Sequence, residues 1–161
     1  MRVEEFYNVI PKLPGVRVFE FTDNLEAARR LLEFALERDF ELEIVTFEEE
    51  LLEPLKEIAG ERARVRAIDE GKERYNQRQL QYDTIFVDMD ISKLDDFVMF
   101  IRKVYRIMKN AGNLVMPVDK RDKERVIESM IEWNYVAIND TELEGDRVLI
   151  TAKKLHGWEK V

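Results

Sequence analysis

The chain of 161 residues contains no cysteine, which excludes disulfides, thiolate metal sites and cysteine nucleophiles. It has a single histidine, His156, in the closing stretch "KKLHGWEKV". With no second histidine and no committed partner, His156 reads as a surface residue, and no Ser-His-Asp set can be built around it. No apolar run approaches the ~20 residues of a membrane span. The opening "MRVEEFYNVIPKLPG" lacks the apolar region of a signal peptide, so a cytoplasmic protein is expected. Positive charge is also short: 26 Lys and Arg stand against 34 Asp and Glu, a formal net charge of -8. That balance argues against sequence-independent nucleic-acid binding, which needs clustered cations against phosphate. The densest basic region, Arg62, Arg64, Arg66, Lys72, Arg74 and Arg78, reads as the solvated ends of a strand and a loop.

Glycine is scarce, with six in the chain, and none falls in "VRVFEFTDNLEAARRLL", residues 16–32. There an apolar strand runs directly into an amphipathic helix through Thr22-Asp23-Asn24. What the chain does contain, 45% hydrophobic and 37% charged residues, suits one globular domain over 1–161, with 1–14 as a helical lead-in ended by Pro11 and "KLPG".

Strand and helix patterns then alternate. Strands are expected at 16–21, 42–47, 64–68, 84–89, 113–118, 135–140 and 147–154. Helices are expected at 24–38, 48–59, 92–109 and 120–133. Apolar spacing sets the inward faces, including Leu31, Leu32, Ala35 and Leu36 in the first helix and Val126, Ile127, Met130 and Ile131 in the last. Pro54 should bend or shorten the second helix, and "NAG" should stop the third. "TIFVDM" is apolar enough for a central strand. "TELEGD" joins the last two strands as a hairpin, which makes them antiparallel. Five βα units followed by a hairpin describe a seven-stranded, mostly parallel sheet with helices on both faces. Trp133 should pack in the core, Trp158 is placed to anchor a partner, and "RYNQRQLQY" reads as a variable loop.

The stretch "YDTIFVDMDISKLDDFVMFIRKVYRIMKNAGNLVMPV" resembles the class I S-adenosylmethionine-dependent methyltransferases. Tyr82-Asp83, Ile85 to Asp88, Tyr105 to Lys109 and Ala111-Gly112 to Val115 occupy places of that family's pattern. Asn110 replaces its usual proline and Ala111 its first glycine. The resemblance implies a Rossmann-like three-layer αβα sandwich of seven strands, order 3-2-1-4-5-7-6, with an antiparallel last strand.

It also implies where a cofactor would lie. Glu20 holds the acidic place of the first strand, but Thr22, Asp23 and Asn24 stand in the glycine-rich turn. Thr46 stands where an acid would bind the ribose hydroxyls, with Glu48 two positions on. Asp69 matches the residue that contacts the adenine amine, and Asp88 matches a substrate-facing or catalytic position. Glycine there supplies φ > 0 and leaves room for the ligand, which Thr22 does not.

The expectation is a methyltransferase-like pseudoenzyme with a degraded S-adenosylmethionine site, weak in cofactor binding. It would serve as a binding or assembly protein with a protein partner or a second copy of itself, and not on nucleic acid or membrane. The alternative is an active methyltransferase with an atypical site, acting on a protein, RNA or small molecule. The strand-end acids Asp69, Glu70, Asp88, Asp90 and Asp119 are expected to cap helices rather than to hold a metal.

Overall fold

The computed structural model describes residues 3–155, with side chains from Glu5 onward. His156 and Trp158 lie outside the described residues. The sheet comprises β1 (Arg17–Thr22), β2 (Glu41–Thr46), β3 (Arg64–Ala67), β4 (Tyr82–Asp88), β5 (Met108–Asp119), β6 (Tyr135–Glu142) and β7 (Arg147–Lys154). Its order is β3-β2-β1-β4-β5-β7-β6. The four pairings among β3, β2, β1, β4 and β5 are parallel, whereas β7 runs antiparallel to both β5 and β6. The expected strand order and hairpin are thus the observed ones.

The helices are α1 (Leu25–Arg38), α2 (Leu52–Ala59), α3 (Phe97–Ile107) and α4 (Lys123–Glu132). Successive residues of β1 point to opposite faces, which gives two cores. Val18 joins Ile44, Phe86 and the α1 residues Ala28, Leu31 and Leu32 on one side. Phe19 and Phe21 join Ile85, Val87 and the α3 residues Phe100, Ile101 and Val104 on the other. Two expected core residues lie outside: Leu36 is 55% and Ile131 61% exposed. Each sits at the margin of its helix stripe, about 100° round from the residue before it, with Ala35 and Met130 taking the inward place.

Three helix boundaries differ from the sequence pattern, each with a structural cause. The second helix begins at Leu52 after a 3-10 turn over Glu49–Leu51, so Pro54 falls in the first turn, where a missing N–H costs nothing. The third begins at Phe97 rather than 92, because Ile91–Lys93 form a separate 3-10 turn capped by Asp90. The Glu70 carboxylate then accepts from the N–H groups of Asp95 and Asp96 at 3.2 and 3.1 Å. The same helix ends at Ile107, two residues early, because Met108 is fully buried and pairs with Tyr82 in the sheet. Its carbonyl end is closed from a distance: the Lys154 ammonium donates to the carbonyls of Tyr105 and Met108 at 2.9 and 3.2 Å. Trp133 packs against the core, with the Arg102 guanidinium 4.7 Å from its ring centre.

At the start of β5, Ala111 adopts φ 62°, which L-residues other than Gly enter at a cost of about 1–2 kcal/mol. At Gly112 an added Cβ would lie 2.8 Å from the Lys109 carbonyl oxygen. Ala111→Gly should therefore raise stability by up to about 1 kcal/mol after glycine's entropy is counted. Gly112→Ala should lower it by about 1–3 kcal/mol or more. Denaturant unfolding of both variants checks the pair, and equal effects of the same sign would contradict it.

Candidate functional site

In an open α/β sheet, ligands bind beyond the carboxyl ends of the strands, beside the point where strand order reverses. Here that point lies between β1 and β4. Thr22 pairs with Asp88 in register, and Glu20 pairs with Phe86.

The β1–α1 corner is built without any positive φ, since Thr22, Asp23 and Asn24 are absent from the left-handed residues. Its polar groups serve the turn itself. The buried Thr22 Oγ1 accepts from the Asn24 N–H at 3.0 Å and lies 3.1 Å from the Asn24 carbonyl oxygen. The Asn24 side chain accepts from the N–H groups of Glu26 and Ala27 at 2.9 and 3.0 Å, capping α1. Asp23 is half-buried, and burial raises its pKa above the ordinary aspartate value, with nearby Asp90 adding and Lys93 opposing.

The other predicted positions behave alike. Thr46 is buried, and its hydroxyl oxygen accepts from the Glu48 N–H at 3.1 Å. Glu48 itself is exposed. Asp69 is exposed and turns its carboxylate to the N–H of Gly71 at 2.9 Å. The structure brings Glu20, Thr22, Asp23, Asn24 and Asp88 together at the junction of β1 and β4. Thr46 and Asp69 stand at the ends of β2 and β3.

Above the ends of β1 and β2, on the face that α3 covers, four rings interlock. Phe21 lies 5.1 Å from Phe100, 5.5 Å from Tyr75 and 5.8 Å from Phe47 between ring centres. Phe47 and Tyr75 are 5.3 Å apart. Tyr75 comes from the polar loop between β3 and β4, is 1% exposed, and donates its hydroxyl to the Glu70 carbonyl at 2.8 Å. The sequence pattern marked that loop as variable and missed this roof. The only available signal was a lone aromatic among polar residues.

On the opposite face, a cavity of about 420 Å³ opens between β1, β4 and β5, lined by Asp23, Asn24, Arg30, Asp88, Asp119 and Arg147 among others. Neither Thr46 nor Asp69 lines it. Beside Asp88 lies Glu20, which is 0% exposed and whose two carboxyl oxygens meet no hydrogen-bond donor among the described residues. Burial first, then the neighbouring Asp88 carboxyl, raises the Glu20 pKa well above the ordinary 4.5. Asp90 has the opposite bias. Burial opposes ionisation, but the N–H and hydroxyl of Ser92, with Lys93 and Arg147, hold its pKa below the ordinary value. Among the described residues, no group of three or more His, Asp or Glu side chains converges on a metal position. No described helix is long and apolar enough to cross a membrane.

No protein-family profile and no curated protein matches the sequence. Solved structures do match. A S-adenosylmethionine-dependent methyltransferase from Aquifex aeolicus superposes with TM-score 0.75 at 12% identity over 95% of this chain and 89% of that one. The YcgJ protein from Bacillus subtilis superposes with TM-score 0.77 at 12% identity over 96% and 98%. A predicted O-methyltransferase from Agrobacterium tumefaciens gives TM-score 0.74 at 15% identity over 94% and 78%. Against the CurJ carbon methyltransferase, the chain spans 52% of the other's length. With the strand order above, these likenesses establish the fold of the class I S-adenosylmethionine-dependent methyltransferases.

Proposed function

We propose that this chain is a methyltransferase-like domain whose cofactor site is closed, and that it works as a non-catalytic binding or assembly protein. The observation that carries this reading is the β1–α1 corner. An adenosyl ligand needs backbone N–H groups and open space there, and the N–H groups of Asn24, Glu26 and Ala27 already donate to the Thr22 hydroxyl and the Asn24 side chain. Thr46 offers a hydroxyl oxygen already accepting from Glu48, where paired charge-assisted acceptors would hold a ribose. The aromatic roof adds to this by filling the α3 side of the same strand ends. The residues present therefore do not fit S-adenosylmethionine. The partner in this reading is a protein or a second copy of the chain.

A second reading, an active methyltransferase with an atypical site, draws on the cavity beside Asp88 and on the buried Glu20 next to it. It would use Asp69, Asp88 and backbone groups, with Glu20, Thr46 or Glu48 covering the missing cofactor contacts, and would act on a protein, RNA or small molecule.

Calorimetric titration separates the two. The closed-site reading expects no heat from S-adenosylmethionine at micromolar concentrations, and a gain of affinity when Thr22→Gly removes the side chain and frees the turn. Steric and strain terms of a few kcal/mol set the scale of that gain at roughly a hundredfold. Micromolar binding by the native chain favours the second reading.

A further inference from the structure

A groove of about 990 Å³, more than twice the volume of the cavity beside Asp88, opens at the opposite, amino end of the sheet. It is lined by the first residues of β1, β2, β3 and β4 (Arg17, Glu41, Arg64 and Tyr82) and by the loop that returns from β3 to β4. Six cations line it, Arg17, Arg62, Arg64, Arg66, Lys72 and Arg78, against three carboxylates, Glu41, Glu43 and Glu61. In a chain of net charge -8, this is a concentrated reversal of sign.

The carboxylates do not cancel it. Glu43 is buried and accepts from Arg66 at 2.8 Å, with Arg64 at 3.8 Å and the Tyr82 hydroxyl also on it. Glu41 pairs with Arg17 at 3.1 Å. Several guanidinium groups are held in place: Arg17 donates to Gln81 at 2.7 Å, Arg66 to the Tyr75 carbonyl at 3.0 Å, and Arg62 to the Ile58 carbonyl at 2.8 Å. Lys72 and Arg78 are exposed and meet no carboxylate among the described residues. The groove therefore combines a positioned floor with unneutralised cations at its rim.

We propose that this groove binds a compact ligand bearing several phosphates, of the class of nucleoside di- and triphosphates or inorganic triphosphate. Planar guanidinium forks match phosphate oxygens two at a time, and small-ligand sites range over ~300–1,000 Å³. A nucleic-acid strand fits less well. The one ring in the groove, Tyr82, is 3% exposed and lies beneath Arg17, so no stacking platform of the kind single strands use is present. A long polyanion would also meet the negative remainder of the surface, whereas a compact one stays within the ~8–10 Å reach of the local charges. This inference is independent of the cofactor site, at the other end of the strands.

The test is calorimetric titration of the full chain with inorganic triphosphate and with ATP at about 50 mM salt, repeated at about 200 mM. Binding should weaken about tenfold or more in Lys72→Glu and again in Arg78→Glu. It should fall with salt and stay unchanged in Arg29→Glu, on α1. Both reversals fall on exposed side chains, and unchanged thermal unfolding checks that the fold persists. Equal affinity for the two probes assigns recognition to the phosphates alone, and tighter ATP binding that adenosine does not compete assigns a nucleotide. The proposal is overturned by no binding of either probe, by equal loss in Arg29→Glu, or by tighter binding of a single-stranded oligonucleotide or an acidic peptide.

Discussion

Tyr75→Ala is expected to cost about 3–5 kcal/mol of folding stability, the range for truncating a fully buried large aromatic. Tyr75 stands 1% exposed and makes ring contacts with Phe21, Phe47 and Phe100. The Lys103 ammonium sits 4.9 Å from its ring centre, so truncation also strips a cation of its aromatic face. A typical domain has only about 5–15 kcal/mol in total, so the loss should be large on any urea curve. Tyr75→Phe keeps the ring and removes only the hydroxyl donated to Glu70, for about 1 kcal/mol; the Glu70 carbonyl keeps Lys103 as a donor at 3.2 Å. If the two variants lost the same small amount, the ring would not be part of the core and the roof over β1 and β2 would be wrong.

Glu20→Gln is expected to stabilise the protein above neutral pH. The native Glu20 pKa lies well above its ordinary 4.5 because the side chain is buried beside Asp88. The folded state therefore holds this proton at pH values where the unfolded state releases it. Between the two values the folded chain binds more protons, so Glu20 makes stability fall as pH rises from about 4.5 through the raised value. Below that window its contribution is intact. The stabilisation from Gln should therefore grow with pH across that window. The Gln amide has no proton to lose and can donate to Asp88. Thermal unfolding at pH 4 and pH 8 provides the check: the gain belongs at pH 8, with little change at pH 4. Destabilisation at pH 8 would mean that Glu20 is charged and satisfied in the native state.

Much of the architecture was legible because each pattern had a local cause. The run "TIFVDM" in β4 carries no charge until Asp88, as a strand buried on both faces requires. "TELEGD" lies between two β-rich runs and closes the β6–β7 hairpin. "NAG" read as a helix stop, and the helix ends shortly before it at Ile107, with Ala111 at positive φ in the strand that follows. The illegible features depend on residues distant in sequence. The start of α3 is set by Glu70, 25 and 26 residues before the N–H groups it accepts, and its end by Lys154. Periodicity alone extended that helix at both ends.

The site shows the same division. That Thr22 and Asn24 fill a corner usually given to glycine was readable from their identities. That each has hydrogen bonds within the turn and the helix cap is visible only in the folded chain. Tyr75 could not be told from its polar neighbours, since its burial depends on Phe21, Phe47 and Phe100 meeting across three elements. The basic residues 62–78 read as solvated ends. Only the fold shows five of them, all but Arg74, lining one groove with Arg17.

The central claim is that side chains at the β1–α1 corner and the rings above it take up the room an adenosyl ligand would need. It is tested most directly by a crystal structure of the protein grown with millimolar S-adenosylhomocysteine. The account expects Phe21 to Asn24 in the hydrogen-bonded arrangement described, with no ligand density against them. Density for the ligand's amino-acid tail beside that corner, with the adenosyl group over Thr46, would contradict it.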